Sequence, residues 1–194
     1  NADIKVVASI KPIHSLASYL MDGVGKPDLI VDGYASPHGF AMKPSHAKML
    51  QNADLIFWVG EDLENFLEKP LKSIAKKAEK IELMEIKGLN KLEFRERNIF
   101  EEHDDHGHDE HKEHGHKEDK HDEHKEHGHK EDKHDDHHEH AHGEHDPHIW
   151  LDPMNAKVIL SEMAEHLIEN DQENASKYKA NLKKAHKDLD KLTK

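Results

Sequence analysis

The chain has 194 residues, 36% charged and 34% hydrophobic, with a formal net charge of −13 and no cysteine. That length suits one domain, or one and part of a second. Without thiols there is no disulfide and no thiolate metal site, so any bound metal must take histidine and carboxylate ligands.

The acidity is local. Of 22 histidines, His14, His38, His46, His148, His166 and His186 lie outside residues 101–145 and the other 16 lie inside, where 18 Asp/Glu against 6 Lys give −12 and leave −1 for the rest. No net basic stripe exists to attract nucleic acid. No apolar run approaches the roughly 18 residues of a membrane span, so direct membrane insertion is not expected.

In chain order, DIKVVASI at 3–10 reads as a short β-branched strand. Pro12 follows, then a helix with Leu16, Tyr19 and Leu20 at helical spacing, stopped by Gly23 and Gly25. DLIVDG at 28–33 is a second strand, and residues 44–53 a helix with Ser45 as candidate N-cap. ADLIFWVG at 53–60 is a continuous apolar run, expected of a strand buried on both faces. Residues 63–80 have a helical pattern that Pro70 must kink or divide, and IELMEI at 81–86 reads as another strand. Strands alternating with helices predict an α/β fold, a mostly parallel sheet flanked by helices. Ligands in such folds bind in loops beyond the carboxyl ends of the strands.

An insert follows. HKEHGHKEDKHDE at 111–123 is repeated almost unchanged as HKEHGHKEDKHDD at 124–136. With almost no apolar side chains it has no face to bury, and disorder without metal is expected. Its histidines, His103, His106, His108, His111, His114, His116, His121, His124, His127, His129, His134, His137, His138, His140, His142 and His145, are accessory metal candidates. Imidazole is the commonest zinc ligand, and many interchangeable sets of three or four could gather around one ion. The plainer reading is a charged solvating linker, but charge alone does not require so much histidine.

After the insert, Asp152 and Pro153 read as an N-cap and a first helical residue. A helix over 155–169 buries Val158, Ile159, Met163 and Leu167, and a helical pattern continues to Lys194 with Tyr178, Leu182, Ala185 and Leu189 as a weaker apolar line. No glycine cap or turn follows, so the chain is expected to stop within a longer helix.

Outside the insert, His38 stands in a Pro-His-Gly turn after the second strand, where it is either a preorganised ligand or an exposed turn residue. His148 precedes the apolar Ile149-Trp150-Leu151, so it is expected to be partly buried, as a core histidine or a ligand. His14, just after the first strand, is a weaker candidate to support a ligand from behind, and His46, His166 and His186 read as surface residues. Glu61, Asp62 and Glu64 read as ordinary acids near a helix N-terminus. No nucleophile elbow, phosphate-cradling loop or HExxH is present, so an enzyme is not expected.

Several stretches, ASIKPIHSLASYLMDGVG, ASPHGFAMKPS, LQNADLIFWVGEDLE, the His/Asp/Glu-rich insert and DPHIWLDPMNA, resemble the zinc-binding periplasmic components of bacterial ABC importers, the ZnuA type. The resemblance covers nearly all of the chain outside the insert. It implies two α/β lobes joined by a long helix, with Zn²⁺ held in the cleft as cargo. It implies His38 as the first-lobe ligand and His148 as a second, with further ligands beyond Lys194. Pro37 replaces the acidic residue that some relatives place before the first ligand.

On this basis residues 1–100 and 146–165 form the amino-terminal lobe, 101–145 the metal-binding loop and 166–194 the start of the inter-lobe helix. The implied setting is the periplasm, with the signal peptide removed. The implied partners are zinc ions and a membrane permease, and the full-length protein is expected to be a monomer. The insert becomes a tethered zinc collector or sensor. Two rivals remain: a manganese or iron binder of the same superfamily, and a metal-buffering or adhesion protein without a transport role.

Overall fold

A computed structural model of the chain describes residues 3–33, 35–93 and 145–193. By its contacts the chain divides into a unit of 1–94 with 142–194 and a second of 95–141. The second lies outside the described residues, as do the insert histidines from His103 to His142 and the disorder expected there.

The described unit is built on a four-stranded parallel sheet in the order β2-β1-β3-β4, with β1 at Val6–Ala8, β2 at Asp28–Leu29, β3 at Leu55–Trp58 and β4 at Glu79–Glu82. β3 pairs on both sides, Val7 opposite Ile56 and Ile56 opposite Lys80, and all four of its residues are buried. This is the two-sided burial its apolar run predicts.

The outer strands are managed differently. β2 is only two residues long, although Ile30 N and Val31 N extend its hydrogen bonding to Ala8 and Ser9. β4 reads Glu-Lys-Ile-Glu, and charge on an edge strand resists further pairing.

Helix α1 is Lys11–Leu20, α2 Pro44–Asn52, α3 Asn65–Ser73, α4 Pro153–Asn170 and α5 Ala175–Leu192. α1 packs against α4 and α5, whereas α2 packs against α3. Successive right-handed crossovers explain the grouping: β1 to β2 runs one way across the sheet, and β2 to β3 to β4 runs the other. The strand order therefore reverses between β1 and β3, which opens a crevice at their carboxyl ends.

Several boundaries differ from the sequence reading. The N-cap of α2 is Lys43, not Ser45, because Pro44 takes the first turn, where its missing N–H costs nothing. α3 accommodates Pro70 but ends at Ser73, with Ile74 N and Ala75 N both turning back to the Pro70 carbonyl. The next strand is 79–82 rather than 81–86, and Leu83–Glu85 form a 3-10 turn. Strand pairing with β3 sets that register, and as an edge strand β4 carries polar residues that hide it from an apolar pattern.

The expected single helix to the end breaks at Asp171. A 3-10 turn at Gln172–Asn174 reverses the chain, and α5 packs back on α4 and α1. The division expected at 165/166 thus falls inside α4. Asp171 accepts from Tyr178 Oη at 2.7 Å and from Asn174 Nδ2 at 2.9 Å, which holds the turn. Asn181 Nδ2 donates to the carbonyls of Leu20 (2.8 Å) and Asp22 (2.9 Å), filling acceptors left open at the end of α1. Tyr178 and Ala185 are buried, and Leu182 and Leu189 pack on the core as expected.

Candidate metal centre

His38 lies in the loop that leaves the carboxyl end of β2. Gly39 follows at φ +78°, a left-handed conformation costly for other residues, so the turn depends on the Pro-His-Gly sequence. The His38 N–H donates to Ser36 Oγ at 3.2 Å, and the residue is exposed.

The far side of the loop is anchored by aromatic packing. Phe40 lies 5.4 Å from the His46 ring and 5.1 Å from Phe66 of α3, centroid to centroid. His46 is therefore not the surface residue expected. It is buried, its Nδ1 accepts from Lys43 N at 3.1 Å, and burial and then Lys43 hold its pKa below the usual histidine value. It anchors the loop that presents His38.

His148 is built into a turn pinned from three sides. His145 pairs antiparallel with Glu93, and Asp146 N donates to the Leu92 carbonyl at 2.8 Å. Asn155, buried in the first turn of α4, closes the third side. Its Oδ1 accepts from Asn90 N at 2.7 Å and its Nδ2 donates to Asn90 O at 2.8 Å. Asp152 caps α4, accepting from Met154 N at 2.8 Å, with Pro153 next, as predicted.

The His148 side chain is 47% exposed, so about half of it is covered as expected, between the buried Pro147 and Ile149. Its Nδ1 sits 2.6 Å from Asp146 Oδ1, which also accepts from His148 N at 3.0 Å. A carboxylate only accepts, so Nδ1 carries the hydrogen, and in the neutral ring Nε2 offers its lone pair. These two bonds hold the Asp146 pKa below the usual carboxylate value, the backbone one contributing most. The ring faces Trp150 at 5.3 Å, and the residue lines a hollow of about 130 Å³ with Asn90, Leu92, Leu151 and Asn155.

Sequence reasoning missed Asp146. Its signal was an acid two residues before a candidate ligand, the usual outer-shell partner of a metal-bound histidine. It also misread Glu64, which is fully buried at the crevice between β1 and β3. The Glu64 carboxylate accepts from Ser9 Oγ, from Val59 N at 3.0 Å and from Gly60 N at 2.9 Å. Burial outweighs these bonds and pushes its pKa up to about 7. The carboxylate fills the crevice and ties the ends of the two central strands together.

His14 turns away from this edge. Its Nε2–H donates to the Pro27 carbonyl at 2.9 Å, and it lines a hollow between α1 and α5 that contains neither His38 nor His148. Among the described residues, one set of three metal-ligating side chains has ligand atoms within 4.8 Å of one another, namely Glu79, His166 and Glu169. His38 and His148 belong to no such set.

The model of the family described as "Zinc-uptake complex component A periplasmic", ZnuA, matches residues 6–194. The chain belongs to the ZnuA family. It is 47% identical over 188 residues to the high-affinity zinc uptake system protein ZnuA of Brucella abortus, covering 97% of this chain and 55% of that protein. The chain thus spans about half the length of the curated relatives it matches.

The fold is likewise that of solved metal-binding proteins. The Mn-bound periplasmic metal binding protein of Candidatus Liberibacter asiaticus superposes with TM-score 0.64 at 19% identity, over 95% of this chain and 52% of that one. The Zn(II)-bound ZnuA-like domain of Streptococcus pneumoniae AdcA gives 0.65 at 15%, over 98% and 53%. The family is described as a periplasmic zinc-uptake component, and among the described residues no helix is long and apolar enough to cross a membrane.

Proposed function

We propose that this ZnuA-family chain supplies one side of a zinc-capture site, with His38 and His148 as ligands, and that the captured ion passes to the permease of an ABC importer. The observation that carries this reading is the His148 ring, half exposed on a braced turn and fixed through Nδ1 by Asp146, which leaves Nε2 of the neutral ring as the nitrogen open to a metal. A carboxylate behind a metal-bound imidazole sets its tautomer and raises its basicity. His38 is placed by the backbone of its Pro-His-Gly turn, its N–H donating to Ser36 Oγ, on a loop from the same edge of the sheet. Further ligands would come from the part of the relatives' length that this chain does not span.

Zinc, as cargo, suits imidazole ligands better than the harder ions that favour carboxylates. The histidines of 103–145 act as a tethered collector that raises the local zinc supply beside His148. Because only neutral imidazole binds, collection fades below roughly pH 6 to 6.5.

The test is zinc calorimetry at neutral pH on a chain of the relatives' full length, with and without residues 103–145. One tight site surviving the deletion, with several weaker ones lost, is expected. Loss of all binding would make the tract the metal site and leave His38 and His148 structural.

A further inference from the structure

We propose a second divalent-cation site at the amino-terminal edge of the sheet, formed by Nδ1 of His166 and carboxylate oxygens of Glu79 and Glu169. Glu79 opens β4, whereas His166 and Glu169 lie in the last turns of α4. At 1.5 Å per residue, His166 stands about 20 Å along α4 from the end that follows His148. The site is therefore separate from the edge that carries His38 and His148.

The histidine has the arrangement of a ligand. Both ring nitrogens lie against carboxylates, Nε2 at 3.3 Å from Glu162 Oε1 and Nδ1 at 2.7 Å from Glu79 Oε1 and 3.8 Å from Glu169 Oε2. A neutral ring has one hydrogen for the two. Nδ1 is buried and makes no hydrogen bond, so the tautomer with the hydrogen on Nε2 leaves the Nδ1 lone pair facing two carboxylates, and a cation among them removes the repulsion.

The spacing is close to what zinc needs. Tetrahedral zinc with ligand bonds near 2.1 Å places its donor atoms about 3.4 Å apart, between the two separations observed. The surroundings support the ligands: Glu162 stands behind the imidazole, and Asn170 Nδ2 donates to Glu79 Oε2 at 2.6 Å, fixing the carboxylate through its other oxygen. The His166 side chain is only 19% exposed, while Glu169 at 60% leaves the ion a route in and room for water as a fourth ligand. A bound ion would pin the end of α4 to β4.

The test is imidazole nitrogen NMR of the whole chain during a Zn²⁺ titration at neutral pH, read at His166 itself, so that its outcome is independent of the cleft and the tract. The His166 Nδ1 resonance is expected to move to the metal-bound position while Nε2 keeps its hydrogen. In Glu169→Gln, a change at an exposed position, the apparent affinity at His166 is expected to fall tenfold or more, with the tract histidines unaffected. Glu79→Gln should act in the same direction. The proposal is overturned if His166 is unmoved when the tract histidines saturate, if both its nitrogens stay protonated as an imidazolium paired with Glu79, or if Glu169→Gln binds unchanged.

Discussion

A histidine stands at each end of α4, and the two are prepared in opposite senses. His148, before the first turn, gives its Nδ1 hydrogen to Asp146 and keeps Nε2 out of that bond. His166, near the last turn, in the proposed site gives its Nε2 hydrogen to Glu162 and keeps Nδ1 for Glu79 and Glu169. The first ring is nearly half exposed in a braced turn, and the second is four-fifths covered between a helix and a strand. In both, a carboxylate neighbour selects the nitrogen that remains available. What differs is the reach of that nitrogen. An exposed one can meet ligands from elsewhere, whereas a covered one can serve only the groups already around it.

The sharpest way to break this comparison is to remove each ring in turn. In a chain of the relatives' length, His148→Ala should lower zinc affinity by a hundredfold or more, about 3 kcal/mol. Its effect on folding should stay within about 0.5 kcal/mol, as at other exposed positions. His166→Ala should do the reverse, costing about 1–2 kcal/mol of stability and leaving cleft affinity unchanged. Calorimetry and urea unfolding of both variants would measure the contrast, and equal effects on zinc would remove it.

Next in size is the buried acid beneath the His148 edge. The Glu64 pKa rises from 4.5 to about 7 on folding. The native state therefore holds that proton more tightly than the unfolded chain does. The group's contribution is complete below about pH 4.5 and is lost as pH rises through about 7, by at most about 3 kcal/mol. Glu64→Gln keeps a neutral hydrogen-bonding group there, so its stability relative to wild type should improve by up to that amount across the window. Urea unfolding at several pH values reads the difference, and parallel curves would show that Glu64 does not titrate on folding.

Two smaller changes probe the bracing of His148. Asn155→Ala strips partners from both the N–H and the C=O of Asn90, so a loss of about 2 kcal/mol is expected in thermal or urea unfolding. Asp146→Asn keeps the shape but weakens the hold on the imidazole, and about a tenfold loss of zinc affinity is expected with little change in stability. If Asp146→Asn binds zinc as wild type does, the ring does not need its carboxylate.

Much of this architecture was legible in the residues. The apolar run at 53–60 announced the central strand, Asp152-Pro153 announced the start of α4, and the motifs around His38 and His148 announced the family. β4 was misplaced because an edge strand of Glu-Lys-Ile-Glu carries no apolar alternation to read. The break at Asp171 was missed because helical spacing persists on both sides of it, and only Tyr178 and Asn174 reaching back to Asp171 reveal the turn.

From the sequence by itself come the order of strands and helices, the Asp152 cap of α4, the local concentration of histidine and the identity of the two candidate ligands. All of these depend on residues near one another along the chain. The tertiary structure alone decided that His46 is buried, that His148 stands on a braced turn, that Glu64 holds a proton near neutrality and that His166 meets Glu79. Each of those depends on what a distant element brings alongside: Phe66 of α3, Asn90 before the insert, the packing of β1 beside β3 that buries Glu64, and β4 beneath α4. Periodicity shows which side of an element turns inward. Which groups it meets there, and hence its charge and the free lone pair it offers, is set by packing across the sheet.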